Sequence, residues 1–200
     1  SILMPASLRV TKGENAMYID PQIKKFIDDL SAYDMPHPVD LGLEATRDGF
    51  SELWQQINPP ARELGKIEDI QIPGPAGDIR AMVYTPQGDG PFPVLAYFHG
   101  GGCCMMAPED YNGASTVLAE DAGCIVVVPA YRRAPENPFP APLEDCFATY
   151  AWLRANAGFI NGDPSRVAIA GDSGGGYLAA AVAQEAKREG APQPDLQLLI

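Results

Sequence analysis

The sequence predicts an α/β fold, a mostly parallel sheet with helices on both faces. Three observations predict it. The runs 94–98 and 124–130 are continuously apolar, the character of strands buried on both sides. Helical patterns at 111–122 and 142–157 follow them, so strands alternate with helices along the chain. A third apolar run, from Val167 to Ala170, leads through a glycine-rich turn into a run of small residues from Tyr177 to Ala183.

The elements follow in order, and the pattern divides the chain at residues 1–57 and 58–200. In the first part, Asp20 reads as a helix N-cap with Pro21 at the first helical position. Ile23, Phe26, Ile27 and Leu30 then recur at helical spacing. Pro36, His37 and Pro38 break this helix. A second pattern, capped by Asp40, places Leu43, Phe50, Leu53, Trp54 and Ile57 on one side, and Asn58, Pro59 and Pro60 end it. These helices either pack on a core or form a lid.

From Leu64 the pattern turns to strands. Ile67, Ile70 and Ile72 lead into a turn cluster at 73–78, and 79–85 alternates, the signature of an antiparallel hairpin. The buried strand at 94–98 runs into Gly100, Gly101 and Gly102. Leu143, Phe147, Tyr150, Ala151 and Leu153 are the expected inner face of the helix over 142–157. A loop at 190–194 precedes a last strand at Leu196, which reads as just beginning at residue 200. The expectation is a fold whose C-terminal part is absent from this sequence. There is no internal repeat and no low-complexity tract.

Gly171, Ser173 and Gly175 make a G-x-S-x-G pattern between strand and helix. Such a turn lifts the serine hydroxyl clear of the sheet, where a helix N-terminus points its amides. Ser173 is therefore the candidate nucleophile, and a helix-capping serine is the alternative. Gly100 and Gly101 would offer backbone amides to an oxyanion, with the amide of Gly174 as a third donor. A plain loop is the bland reading of the glycines. His99, at a strand end beside them, reads as structural, and His37 as a surface residue. Glu144 and Asp145, in the first turn of a helix, read as supports for the loop around Arg132 and Arg133.

The formal charge of −12, from 14 basic and 26 acidic residues, argues against nucleic acid or an anionic membrane as partner. No apolar run reaches membrane-spanning length, and the first nine residues lack a signal-peptide pattern. Cys103, Cys104, Cys124 and Cys146 form no C-x-x-C pair, and there are two histidines, so no metal site is expected. Free buried thiols in a reducing cytoplasm is the preferred reading.

Three further blocks carry a family resemblance over roughly residues 60–200. They are His99 to Gly102; Tyr131 to Ala141, close to Y-R-L-A-P-E-H-P-F-P-A; and Leu143, Glu144 and Asp145, ahead of Gly171 to Gly175. The chain resembles the hormone-sensitive-lipase-like bacterial esterases of the α/β-hydrolase fold. The resemblance implies a carboxylesterase acting on short- to medium-chain esters through a serine acyl-enzyme. It needs no cofactor, and a homodimer stays an open alternative. It also implies that residues 1–57 are a cap over the acyl pocket, that His99 and Gly102 hold the oxyanion loop, and that the triad aspartate and histidine lie beyond position 200. Five positions depart from the family pattern. Arg133 stands for leucine, Asn137 for histidine, Gly174 for alanine, Tyr177 for asparagine and Cys103 for a large aromatic. Cys103 and Cys104, with Asp172 and Tyr177, are the expected pocket residues. A ligand-binding scaffold of this fold that has lost its base is the alternative function.

Overall fold

The computed structural model describes residues 18–32 and 38–200. The chain divides into two compact units, residues 1–46 and 47–200. In the first, α1 spans Pro21–Ser31, and the Asp20 carboxylate accepts the Gln22 N–H at 2.8 Å, the expected cap. Ile23, Phe26 and Ile27 keep about half their surface exposed, at 54%, 43% and 45%. His37 lies outside the described residues. The helix expected from Asp40 is two pieces, α2 at Pro38–Leu41 and α3 at Leu43–Ile57. Gly42 separates them with φ at 77°, a backbone state glycine adopts freely. The boundary between the units falls inside α3, after Thr46. The reason is that Phe50 and Trp54, in the second half of α3, pack on the core of the second unit.

The second unit is built on a six-stranded sheet. Its strands are β1 (Lys66–Gly74), β2 (Gly77–Thr85), β3 (Phe92–Phe98), β4 (Ile125–Pro129), β5 (Gly162–Gly171) and β6 (Gln197–Leu199), ordered β1-β2-β4-β3-β5-β6. β1 and β2 form the expected antiparallel hairpin, and β2 meets β4 antiparallel. β3 pairs in parallel with β4 and β5, and β5 with β6.

Alternate side chains of each strand serve opposite faces. Val94, Ala96, Phe98, Ile125, Val127, Val167 and Ile169 join one core with Tyr150 and Leu153 of α5 (Ala141–Asn156) and Leu178 and Val182 of α6 (Gly174–Arg188). Leu95, Tyr97, Val126, Val128 and Ala170 face the other way, against Ala119 of α4 (Asn112–Ala122) and Tyr111. Both faces are covered, which is why the runs read as continuously apolar.

One residue of the expected inner face is corrected. Ala151 is exposed, whereas Tyr150 and Leu153 are buried and Leu143 and Phe147 pack against the core; α5 also buries Asp145, Cys146 and Thr149. Two polar residues sit on its inner face because each has a partner. Asp145 takes the Arg132 guanidinium and its backbone N–H, and the Thr149 hydroxyl bonds the Asp145 carbonyl. Hydrophobic spacing cannot register a buried ion pair.

Candidate active site

Ser173 stands where β5 gives way to α6. Its φ of 51° and ψ of −118° lie in a region that non-glycine residues rarely occupy. The close approach of strand and helix imposes this geometry. A Cβ on Gly175 would collide with the Phe98 carbonyl oxygen, and one on Gly171 with the Gly175 backbone. The Ser173 N–H donates to the Ile200 carbonyl at 2.9 Å, and its own carbonyl accepts the Tyr177 N–H at 3.1 Å. The hydroxyl makes no capping bond and the residue is exposed, so the helix-cap reading does not hold. The backbone is bonded on both sides of Ser173, while its hydroxyl has no partner among the described residues.

The glycine loop after β3 lies against this turn. A Cβ built on Gly174 would sit 3.0 Å from both the nitrogen and the Cα of Gly102, and 3.2 Å from the Cys103 nitrogen. The glycine loop and the start of α6 are therefore in close contact at Gly174. Gly101 has φ at 96°, Gly102 at 60° and Cys103 at 58°. The Gly101 carbonyl accepts the N–H groups of Cys104 and Met105 at 3.0 and 2.9 Å, which closes the loop on itself.

The role expected for Gly100 needs correction. Its N–H donates to the Tyr111 hydroxyl at 2.9 Å and is not left over for an oxyanion. The amides of Gly101, Gly102 and Gly174 donate to no acceptor among the described residues. Three unused donors therefore lie at the turn; Gly101 and Gly174 are two of the three expected from sequence, and Gly102 stands beside them in place of Gly100.

Two tyrosines that sequence reasoning passed over tie the loop to the turn. The Tyr111 hydroxyl, holding Gly100, donates to Asp172 Oδ2 at 2.9 Å. Tyr97 donates to Asp172 Oδ1 at 3.1 Å. Burial first, and then the Asp172 charge, push both phenols above the ordinary tyrosine range, so they stay neutral donors. Asp172 is the residue before the candidate nucleophile, and its carboxylate is shared between β3 and the segment before α4. The signal in the sequence was the carboxylate itself, which needs donors once half buried.

His99 is 1% exposed and stacks on Tyr131 with ring centres 4.2 Å apart. Its Nδ1 lies 2.9 Å from the Gly100 carbonyl, the geometry of an Nδ1–H donor, and the Tyr131 hydroxyl donates to the His99 carbonyl at 2.7 Å. Burial is the main reason its pKa falls from 6.5 to about 4, with the nearby Arg133 charge adding to the fall. A neutral imidazole bound to the glycine loop is a strut. Arg132 meets Asp145 through Nε and Nη2 and Glu144 through Nη2, so these carboxylates hold Arg132 and not Arg133. Arg47, missed in the sequence, forks onto Glu136 at 2.6 and 2.9 Å and donates to the Cys104 and Ala134 carbonyls.

Cys103 and Cys104 are half buried and unbridged, Cys124 and Cys146 are buried, and Tyr177 is exposed. Burial raises the Cys103 thiol pKa, which keeps it protonated. No cluster of metal-ligating side chains occurs among the described residues, and no helix among them is long and apolar enough to cross a membrane.

A strained serine turn on a parallel sheet, faced by a glycine loop with unused amides, defines a class of serine-hydrolase-like folds. Residues 95–200 match the family described as the alpha/beta hydrolase fold, and the chain belongs to that family. It is 38% identical over 185 residues to esterase LipI of Mycobacterium tuberculosis, covering 90% of this chain and 56% of that protein. It is 41% identical over 139 residues to the carboxylic ester hydrolase LipN of the same organism, covering 67% of this chain and 37% of that protein. An ester-hydrolase from the Lake Arreo metagenome, solved with a bipyridine phosphonate derivative, superposes with a TM-score of 0.85 at 31% identity, over 92% of this chain and 60% of that one. The chain spans about half the length of the curated relatives it matches.

Proposed function

We propose that the protein is a serine carboxylesterase of the hormone-sensitive-lipase-like branch, acting on small esters of short to medium acyl chains. The observation that carries this reading is the Ser173 hydroxyl on a strained turn, without a partner among the described residues and set against amides with no internal acceptor. The esterase names of its relatives support it.

In this reading Ser173 Oγ attacks the ester carbonyl while a base takes its proton. Charge develops on the carbonyl oxygen and is received by the amides of Gly101, Gly102 and Gly174. The base returns the proton to the departing alcohol, leaving an acyl-enzyme. Water then attacks the acyl carbon by the same route, Ser173 leaves with a proton, and the acid is released. One oxyanion donor contributes roughly 3 kcal/mol in comparable enzymes. His99 does not fit the base, since its imidazole is buried and bonded to the loop it supports. The chemistry requires a histidine, steered by a carboxylate, supplied from outside the described residues. The unbridged cysteines support a reducing, cytoplasmic setting.

The test is hydrolysis of p-nitrophenyl butyrate beside Ser173→Ala. The expected result is turnover in the parent and a loss of at least about 10⁴-fold in the variant. A fluorophosphonate probe labels the parent on Ser173 and leaves the variant unlabelled. A parent that folds yet neither turns over nor takes the label overturns the reading and leaves a binding scaffold.

A further inference from the structure

A cavity of about 400 Å³ is lined by His99 and Met106, which flank the glycine loop in sequence. Its lining includes neither Ser173 nor Gly100–Gly102, but His99 and Tyr131, the strut of that loop, form one wall. Four arginines line it: Arg47, Arg80, Arg132 and Arg133. Glu136 is the one carboxylate among its lining residues, and Arg47 holds both of its oxygens.

Three of the arginines are neutralised. Arg47 forks onto Glu136, Arg80 pairs with Asp69 and Glu109, and Arg132 pairs with Glu144 and Asp145. Arg133 is different. It donates from Nη1 to the Met106 carbonyl at 2.6 Å and makes no ion pair among the described residues. A guanidinium has five N–H donors in a planar fork, and those of Arg133 not used on Met106 have no protein acceptor here. The charge is only partly exposed, in a cavity whose other cations already have partners. Glu136 is close enough to feel the Arg133 charge but is held by Arg47, so Arg133 is left without a direct ion pair, and a ligand carboxylate that forms one relieves its partial burial.

We propose that this cavity is a binding site for a small monocarboxylate anchored by Arg133. A carboxylate matches the planar fork in two parallel hydrogen bonds. One free positive charge calls for one negative charge, and Glu136 at the wall disfavours a dianion. Met106, Pro108 and Tyr131 supply apolar lining for a short carbon chain beyond the carboxylate. Because His99 and Tyr131 are both wall and strut, an occupant touches the residues that hold the glycine loop. The site stands independently of the esterase reading, since it uses none of the residues given a chemical role there.

The experiment measures equilibrium binding to the parent protein by calorimetry, with sodium butyrate as the probe. Butyramide is the uncharged control, and sodium chloride matches the ionic strength. The expected result is saturable millimolar binding of butyrate, with butyramide at least about tenfold weaker. Arg133→Gln keeps a donor for the Met106 carbonyl but removes the charge, and is expected to weaken butyrate at least about tenfold. Arg133→Leu gives the same loss, and circular dichroism confirms that both variants fold. Equal binding of butyrate and butyramide, undiminished binding in either folded variant, or no binding to the parent overturns the proposal. None of these outcomes depends on turnover, so failure of the site is distinguishable from failure of the esterase reading.

Discussion

The Tyr111 hydroxyl accepts from the Gly100 amide and donates to Asp172, so one oxygen joins the glycine loop to the residue beside Ser173. Removing it leaves a buried N–H without an acceptor and a carboxylate short of a donor. Tyr111→Phe is expected to lower stability by about 1–3 kcal/mol, the usual penalty for stranding buried polar groups. It should also lower kcat for p-nitrophenyl butyrate by about tenfold while KM stays nearly constant, because a loosened loop affects the transition state more than ground-state binding. Urea denaturation and steady-state kinetics on the same preparation check both. A variant with parent kcat would show that the loop holds its shape without the bridge.

At the scale of elements, the junction of β5 and α6 and the buried inner face of α5 carry the strongest constraints. Gly175 lies under the Phe98 carbonyl oxygen, and backbone cannot move aside as a flexible side chain can. Gly175→Ala is expected to prevent folding or to reduce stability by more than about 3 kcal/mol, the upper end of ordinary overpacking. Thermal unfolding followed by circular dichroism reads this. Asp145, on α5, is 2% exposed and accepts the backbone N–H and the guanidinium of Arg132, from the loop that follows β4. Asp145→Ala leaves the guanidinium without its buried partner and is expected to lower stability by about 3 kcal/mol. Glu144→Ala, removing the solvent-side carboxylate of the same arginine, should change it by less than about 1 kcal/mol. The contrast between the two variants separates a buried partner from an exposed one.

For the molecule as a whole, His99 imposes a pH dependence on folding. Its imidazole is neutral in the folded protein down to about pH 4, against 6.5 when free in the unfolded chain. Above pH 6.5 neither state holds the proton, and His99 contributes no slope. Between 6.5 and about 4 the unfolded chain takes up a proton that the folded protein refuses, so stability falls as pH falls. Below about 4 both states are protonated and the loss is complete, at about 3 kcal/mol. Urea midpoints between pH 7 and 4 are expected to fall in the parent and to fall less steeply in His99→Gln. Parallel curves would show that the imidazole titrates with its ordinary pKa in the folded state.

The alternation of buried strands and helices, the hairpin at 66–85 and the glycine-framed serine were all legible because each is a local pattern. Burial on both faces writes itself as a continuous apolar run, and a strained turn admits only glycine at Gly171 and Gly175. What the sequence by itself determined was the kind of sheet and the residue at its apex. Which amides are free was decided by the tertiary structure. Gly100 and Gly101 are equivalent in the sequence, but Tyr111, brought back against the loop by the fold, takes one N–H and leaves the other. The burial of Asp145 on α5 was likewise decided by Arg132 reaching it, and the lack of an ion pair at Arg133 by the pairing of Glu136 with Arg47 and of Asp145 with Arg132. Hydrogen bonds and ion pairs between remote segments leave no periodicity in a sequence, because either partner can lie at any separation along the chain.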